Sequence, residues 1–247
     1  MAKFEIRDGV AIIPEGTTEI GEDAFYDCTS FESVTIPESV TKIGDNAFDG
    51  CSSLKSITLP DSVTSIGWYA FAGCTSLKNV TLPDSVTFLG ENAFNRCTSL
   101  ESITISKSVT EIGHYAFDGC SLLKSVIIPE SVRKIGIGTF RWCTLLESIS
   151  IPELVTTIEC NAFMGCTSLK NITIPESVTR IEQNAFKGCT SLKSVTLPES
   201  VREIEESAFD DCSALTAIYV PAEKTDYYKE LLPEQLHGKI VELAPEK

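Results

Sequence analysis

Apolar residues return along the chain on a fixed 23-residue period. In Leu77-Lys78-Asn79-Val80-Thr81-Leu82, the apolar Leu77, Val80 and Leu82 face one way and Asn79 and Thr81 the other, the alternation of a strand with one buried face. Pro83 ends that strand in a turn. Val86 and Leu89 make a second, shorter inward pair, and Asn92-Ala93-Phe94 opens a brief helical or 3₁₀ turn that closes on Cys97. The unit reads P-x-S-V-T-x-I-G-x-x-A-F-x-G-C-T-S-L-K-S-I-T-L, as in Pro60 to Leu82. Its cysteine recurs at Cys28, Cys51, Cys74, Cys97, Cys120, Cys143, Cys166, Cys189 and Cys212, and its proline runs from Pro14 to Pro221 with Ser106 standing in once.

An uninterrupted period means that every unit makes the same coil and stacks on its neighbours, so each apolar column becomes one continuous core. The expected shape is a solenoid. With coils about 4.8 Å apart, nine of them make a rod roughly 43 Å long. The residue two after I-G is often Asn, as at Asn46, Asn92, Asn161 and Asn184, which suits a hydrogen-bonding cap at the start of the turn. Gly50, Gly73, Gly119, Gly165 and Gly188 are expected to end the turn with positive φ. Coil ends need covering. Residues 1–12 alternate around Asp8-Gly9 and read as a hairpin cap, residues 13–221 as nine repeats, and residues 222–247 as a terminal cap with a short helix, all in one continuous domain.

The strand consensus L-x-x-[IV]-x-[IL], followed by I-G-x-x-A-F-x-x-C, resembles the BspA-like leucine-rich repeats of bacterial and some protist proteins, over residues 13 to about 221. The resemblance implies an α/β-type, β-dominated leucine-rich repeat solenoid: parallel strands on one face, short helical or 3₁₀ turns and second short strands elsewhere. It also implies cell-surface or secreted adhesion and host interaction, and binding rather than catalysis.

Charge narrows the partners. With 20 Lys+Arg against 35 Asp+Glu, the net charge is −15, which repels phosphate backbones and anionic lipid. Nucleic acid is therefore not an expected partner, and no apolar run is long enough for membrane insertion. The opening Met1 to Asp8 carries charges where a leader needs an apolar stretch. As written, the chain and its free thiols suit the cytoplasm; removal of a leader would place it at the cell surface or outside.

The ten cysteines do not spell a metal site, because nine share one column and no C-x-x-C pair occurs. Buried free thiols are the favoured reading over disulfides; Cys160, outside the column at an exposed position, is the first candidate for a reactive thiol, with a merely tolerated substitution the favoured alternative. The histidines, His114 and His237, belong to no nucleophile, zinc or phosphate motif, so neither an enzyme nor a cofactor is expected.

Two surfaces are left for binding. The outward strand positions are mostly Ser, Thr and Asn, a hydroxyl ladder that suits strand formation and solubility. The column after I-G is mostly polar but holds Trp68 and Ile137, so these are expected to be exposed. Trp68, Tyr69, Phe88, His114 and Tyr115, with Arg141 and Trp142 at the margin, form a candidate contact patch for a protein partner, possible hosts or cell-surface proteins included. The opposing reading is that these rings fold back over the coil edge. Glycan binding and self-association as a structural rod are the other outcomes.

Overall fold

The computed structural model describes residues 4–244; Met1, Ala2 and Lys3 of the expected first cap and Pro245, Glu246 and Lys247 of the expected tail lie outside the described residues. The chain is a β-solenoid. Counting coils one to nine from Pro14, each coil has a two-residue back strand, such as Ser65–Ile66, and, in every coil except the sixth, a front strand, such as Asn79–Thr81. Neighbouring coils pair in parallel with a shift of one repeat: Asn79 faces Ser102, which faces Ser125. The alternation seen in the sequence holds, with Val80, Ile103 and Val126 buried and Thr81, Thr104 and Ile127 outside.

The turn between back strand and cysteine is a run of three-residue turns tied to the next coil. Asn46, Phe48 and Gly50 donate their N–H groups to the carbonyls of Trp68, Ala70 and Ala72, each at 2.8 Å. The intervening Ala47, Asp49 and Cys51 donate three residues back, to Gly44, Asn46 and Phe48. Every backbone donor in the run thus has a partner, half of them across the coil boundary. In coils one to eight two residues per run take left-handed φ. Gly50, Gly73, Gly119, Gly165 and Gly188 do so at 66–74°, as expected of a turn-ending glycine. Asn46, Asn92, Asn161 and Asn184 do so at 53–58°, so this column selects Asn for its tolerance of that conformation rather than for capping.

The core is built from two columns that touch. Phe25, Phe48, Phe71, Phe94, Phe117, Phe140, Phe163, Phe186 and Phe209 stack face to face with centroids 5.0–5.8 Å apart and planes within 11°. Each cysteine of the repeat column from Cys51 to Cys212 donates its thiol proton to the carbonyl of the phenylalanine in the preceding coil, at 3.1–3.2 Å. The same carbonyl accepts the cysteine N–H of its own coil, as Phe25 O does from Cys28 at 3.0 Å. Both lone pairs are used. Cysteine fits this position because it is small and apolar yet carries a weak donor.

The first coil is covered by a hairpin, Glu5–Arg7 paired antiparallel with Val10–Ile12, turning through Asp8 and Gly9 at φ 50° and 77°. Phe4 extends the ring stack onto Phe25 at 4.6 Å. At the other end a helix spans Thr225–Leu231 and ends just before Pro233. Its Tyr228 is fully buried, with its hydroxyl donating to Pro198 O, and Tyr227 donates to Val201 O at 2.7 Å. Ile240–Glu242, in the expected terminal cap, adds a parallel strand beside Ala217–Val220. Among the described residues no helix is long and apolar enough to cross a membrane.

Candidate interaction surface

The column after I-G has a structural duty that its variety conceals. Where the back strand gives way to the turn, Asp45 Oδ1 accepts the N–H of Trp68 at 2.8 Å, one coil on. His114 Nδ1 does the same for Ile137 at 2.7 Å, which fixes the ring with its proton on Nε2. A side-chain acceptor here satisfies a backbone donor that the strand ladder no longer reaches. His114 therefore sits half-buried and engaged, and Ile137, expected to be exposed, is also half-buried. His237 is held as well, its Nε2 2.9 Å from Leu232 O.

The next position is the left-handed one, and two tyrosines occupy it: Tyr69 at φ 55° and Tyr115 at φ 57°. Gly138 takes the same place one coil after Tyr115, and its missing side chain makes room for the ring. A β-carbon there would lie 2.4 Å from Tyr115 Cε1. Arg141 covers Tyr115 from outside, its guanidinium carbon 5.2 Å from the ring centroid. Arg141 is itself fixed by two hydrogen bonds to the buried Asp118, at 3.0 and 2.8 Å, and Asn95 donates to the same carboxylate at 3.2 Å. The Asp118 hydrogen bond raises the Arg141 pKa, against a smaller lowering by burial. Tyr115, Arg141 and Asp118 thus form one closed cluster. Trp142, itself left-handed at φ 58°, lies on Gly165, where a β-carbon would meet Cε3 at 2.3 Å. Part of its ring stays open, with the residue 47% exposed.

Trp68, Tyr69 and Phe88 are placed differently. They are 53%, 42% and 39% exposed. Phe88 lies on the back sheet opposite Ser65 of the preceding coil, and Trp68 and Tyr69 follow that Ser65 by three and four residues. The seven candidate residues therefore divide into an open aromatic group on coils three and four and a self-packed group on coils five and six. The sequence reading overlooked Leu122, Leu145 and Leu154, all exposed. Each replaces a Ser of the repeat, and that substitution was the available signal.

The thiols follow the core. Cys51 through Cys212 of the ladder are buried, while Cys28 and Cys160 are half-buried. Burial, aided by a 3.4 Å contact to Glu182 Oε2, raises the Cys160 pKa and so lowers its thiolate fraction at neutral pH. Ellman's reagent is expected to titrate at most two thiols in the native protein and all ten in guanidinium chloride. A third rapid thiol would mean that the ladder is open to solvent.

A six-copy family model, the BspA type leucine rich repeat region, matches residues 18–145 and 110–232. No curated protein matches the chain. Among solved structures, a leucine-rich repeat protein from Bacteroides ovatus ATCC 8483 is 35% identical, with a TM-score of 0.79 over 95% of this chain and 60% of that one. A leucine rich cell surface protein from Faecalibacterium prausnitzii A2-165 is also 35% identical, with a TM-score of 0.59 over 86% of this chain and 65% of that one. The pneumococcal vaccine antigen PcpA, at 24% identity and a TM-score of 0.56 over 97% of this chain and 79% of that one, shares the fold. This chain thus spans less than two thirds of the length of the first two.

Proposed function

The chain belongs to the BspA-type leucine-rich repeat proteins, and from that premise we propose that it is a non-catalytic scaffold that binds a protein partner through exposed residues of its variable columns. The observation that carries this reading is the open group of Trp68, Tyr69 and Phe88, three large rings exposed to solvent on two adjacent coils of an acidic chain. Exposed aromatic side chains dominate interface energetics because they bury much apolar area at small entropic cost. Tyr115, Arg141 and Trp142 support that group as a rigid margin, since their own packing already holds them in place. His114 contributes by fixing the backbone of that margin at Ile137.

The test is a photo-crosslinking side chain installed at Trp68, with Glu199 on coil nine as the control position. Specific protein adducts are expected at the first site, and Trp68→Ser/Phe88→Ser is expected to weaken binding of the captured partner at least tenfold, by about 1.4 kcal/mol or more. Equal adducts at both positions, or unchanged affinity, would remove the patch from the interface. The second reading, adhesion at a bacterial surface, is favoured by the Faecalibacterium relative, which is described as a cell surface protein. A glycan array and light scattering across concentration separate glycan recognition and self-association from a protein partner.

A further inference from the structure

The two sheets that run along the solenoid stop together at one place. The back sheet is continuous from Glu19–Ile20 to Lys134–Ile135 and resumes as a separate sheet at Thr157–Ile158. The front sheet is interrupted over the same turn of chain. Ser125 meets Ser148 in an isolated bridge, and no strand forms before Asn171–Thr173. The front sheet also has a break between Ser56–Ile57 and Asn79–Thr81, but the back sheet bridges it without a gap. Only between coils six and seven do both ladders break, although at the entry to the front strand Lys170 N still donates to Glu147 O at 3.3 Å and Lys170 Nζ to Glu147 Oε2 at 2.6 Å.

The bonds lost there are specific. Along the back sheet, Thr110 N donates to Thr87 O and Arg133 N to Thr110 O, and Gly113 N and Gly136 N donate to Leu89 O and Ile112 O. Beyond the gap, Thr179 N and Glu182 N donate to Thr156 O and Ile158 O. The corresponding amides of Thr156 and Glu159 have no such bond to Arg133 and Ile135. Leu154 stands where Ser131 and Ser177 donate hydroxyl protons to Val109 O and Val155 O, and it has none to give. On the front face Ile149 is half-buried, in a column whose other members, such as Val126 and Ile172, are buried.

The turn side of the same step is intact. Gly138, Phe140 and Trp142 donate to Cys160, Ala162 and Met164 at 2.8–2.9 Å, Phe140 stacks on Phe163, and the Cys166 thiol reaches Phe140 O.

A change in sequence explains where the break falls. Coils two to six carry Gly44, Gly67, Gly90, Gly113 and Gly136 at a point where a β-carbon would lie 2.4–2.8 Å from the backbone of the preceding coil. Coils seven to nine carry Glu159, Glu182 and Glu205 there. Each block is consistent within itself, and the ladder bonds of Glu182 and Glu205, both 2.9 Å, show that a side chain fits where Glu follows Glu. The Gly block and the Glu block meet at one step, where Glu159 follows Gly136. We propose that this step is a hinge: coils one to six and seven to nine are two stiff blocks that rock about the bonded turn side and open or close along the back sheet. A scaffold so jointed presents its aromatic group on one block and adjusts the other to the partner.

Spin labels in one exposed column read the motion. Glu111→Cys/Glu203→Cys spans four coils across the step, and Glu19→Cys/Glu111→Cys spans four coils within the first block, at about 20 Å each. Both pairs are made in a Cys28→Ser/Cys160→Ser background, so that only buried native thiols remain. The distance distribution across the step is expected to be at least twice as broad as the control, and to narrow to the control width when Glu159, Glu182 and Glu205 are all changed to Gly. Equal widths in the parent chain overturn the hinge; a distribution still broad in the triple variant overturns its origin in the Gly-to-Glu change. Should the triple variant not fold, amide exchange in the parent chain decides. Thr156 and Glu159 are expected to exchange at least tenfold faster than Thr110 and Gly113 after correction for intrinsic rates, and equal protection would rule the hinge out.

Discussion

Raising the pH from 8 to 10 is expected to remove a large part of the folding stability of this protein. The cause is the thiol ladder. Burial pushes the Cys51 pKa from its ordinary value of 9.0 up to about 12, and burial drives Cys74, Cys97, Cys120, Cys143 and Cys166 up further. In the unfolded chain the same groups ionise at ordinary values. Below about pH 8 the thiols are protonated in both states and stability is at its full value. As pH rises from there toward the folded values, the unfolded chain releases protons that the folded one retains, so the unfolded state gains. Between pH 8 and 10 each thiol lowers stability by about 1.4 kcal/mol, and six together by about 8, comparable with the whole stability of a typical domain. Buried Tyr228, whose pKa burial also raises, adds to the loss above pH 10. Guanidinium titrations from pH 7 to 10 with reductant present give the slope. Cys97→Ala/Cys143→Ala is expected to flatten it by about a third, and a midpoint unchanged between pH 8 and 10 would contradict the ladder.

That ladder was legible in the sequence because its signal is a period. Nine cysteines on one spacing have to share one environment, and the strand pattern around Val80 and Leu82 assigns that environment to the inside. The residues that interrupt the period were harder to read. Asn in the turn column fits both a cap and a left-handed backbone; Gly138, standing in the same column, points to the second, since glycine cannot cap with a side chain. The candidate patch was half legible. Exposure of Trp68 follows from the polar character of its column, but Tyr115 lies over Gly138 and Trp142 over Gly165, contacts set by what the next coil lacks. Such contacts are made across the coil boundary, between residues about one repeat apart, and a reading of each column for its own polarity does not find them.

Gly90→Ala is expected to destabilise the solenoid by about 3 kcal/mol or more, although it adds one methyl group and Gly90 has no positive φ to protect. The new β-carbon would lie 2.4 Å from Gly67 O and 2.5 Å from Gly67 C, well inside contact distance and against backbone that has no rotamer to change. Coil four would have to move away from coil three, straining the Gly90 N–H bond to Ile66 O, now 3.0 Å, and the Phe71 to Phe94 stack beyond it. Gly21 is the control. It occupies the same column in the first coil, where a β-carbon meets nothing within 4 Å, and Gly21→Ala is expected to change stability by less than about 0.5 kcal/mol. Denaturant midpoints of the two variants give the comparison, and equal effects would mean that close approach of the coils does not depend on glycine. The difference between these two glycines shows that the column answers to the coil beneath it, which is why a block of Gly coils and a block of Glu coils can each be regular and still join poorly where they meet.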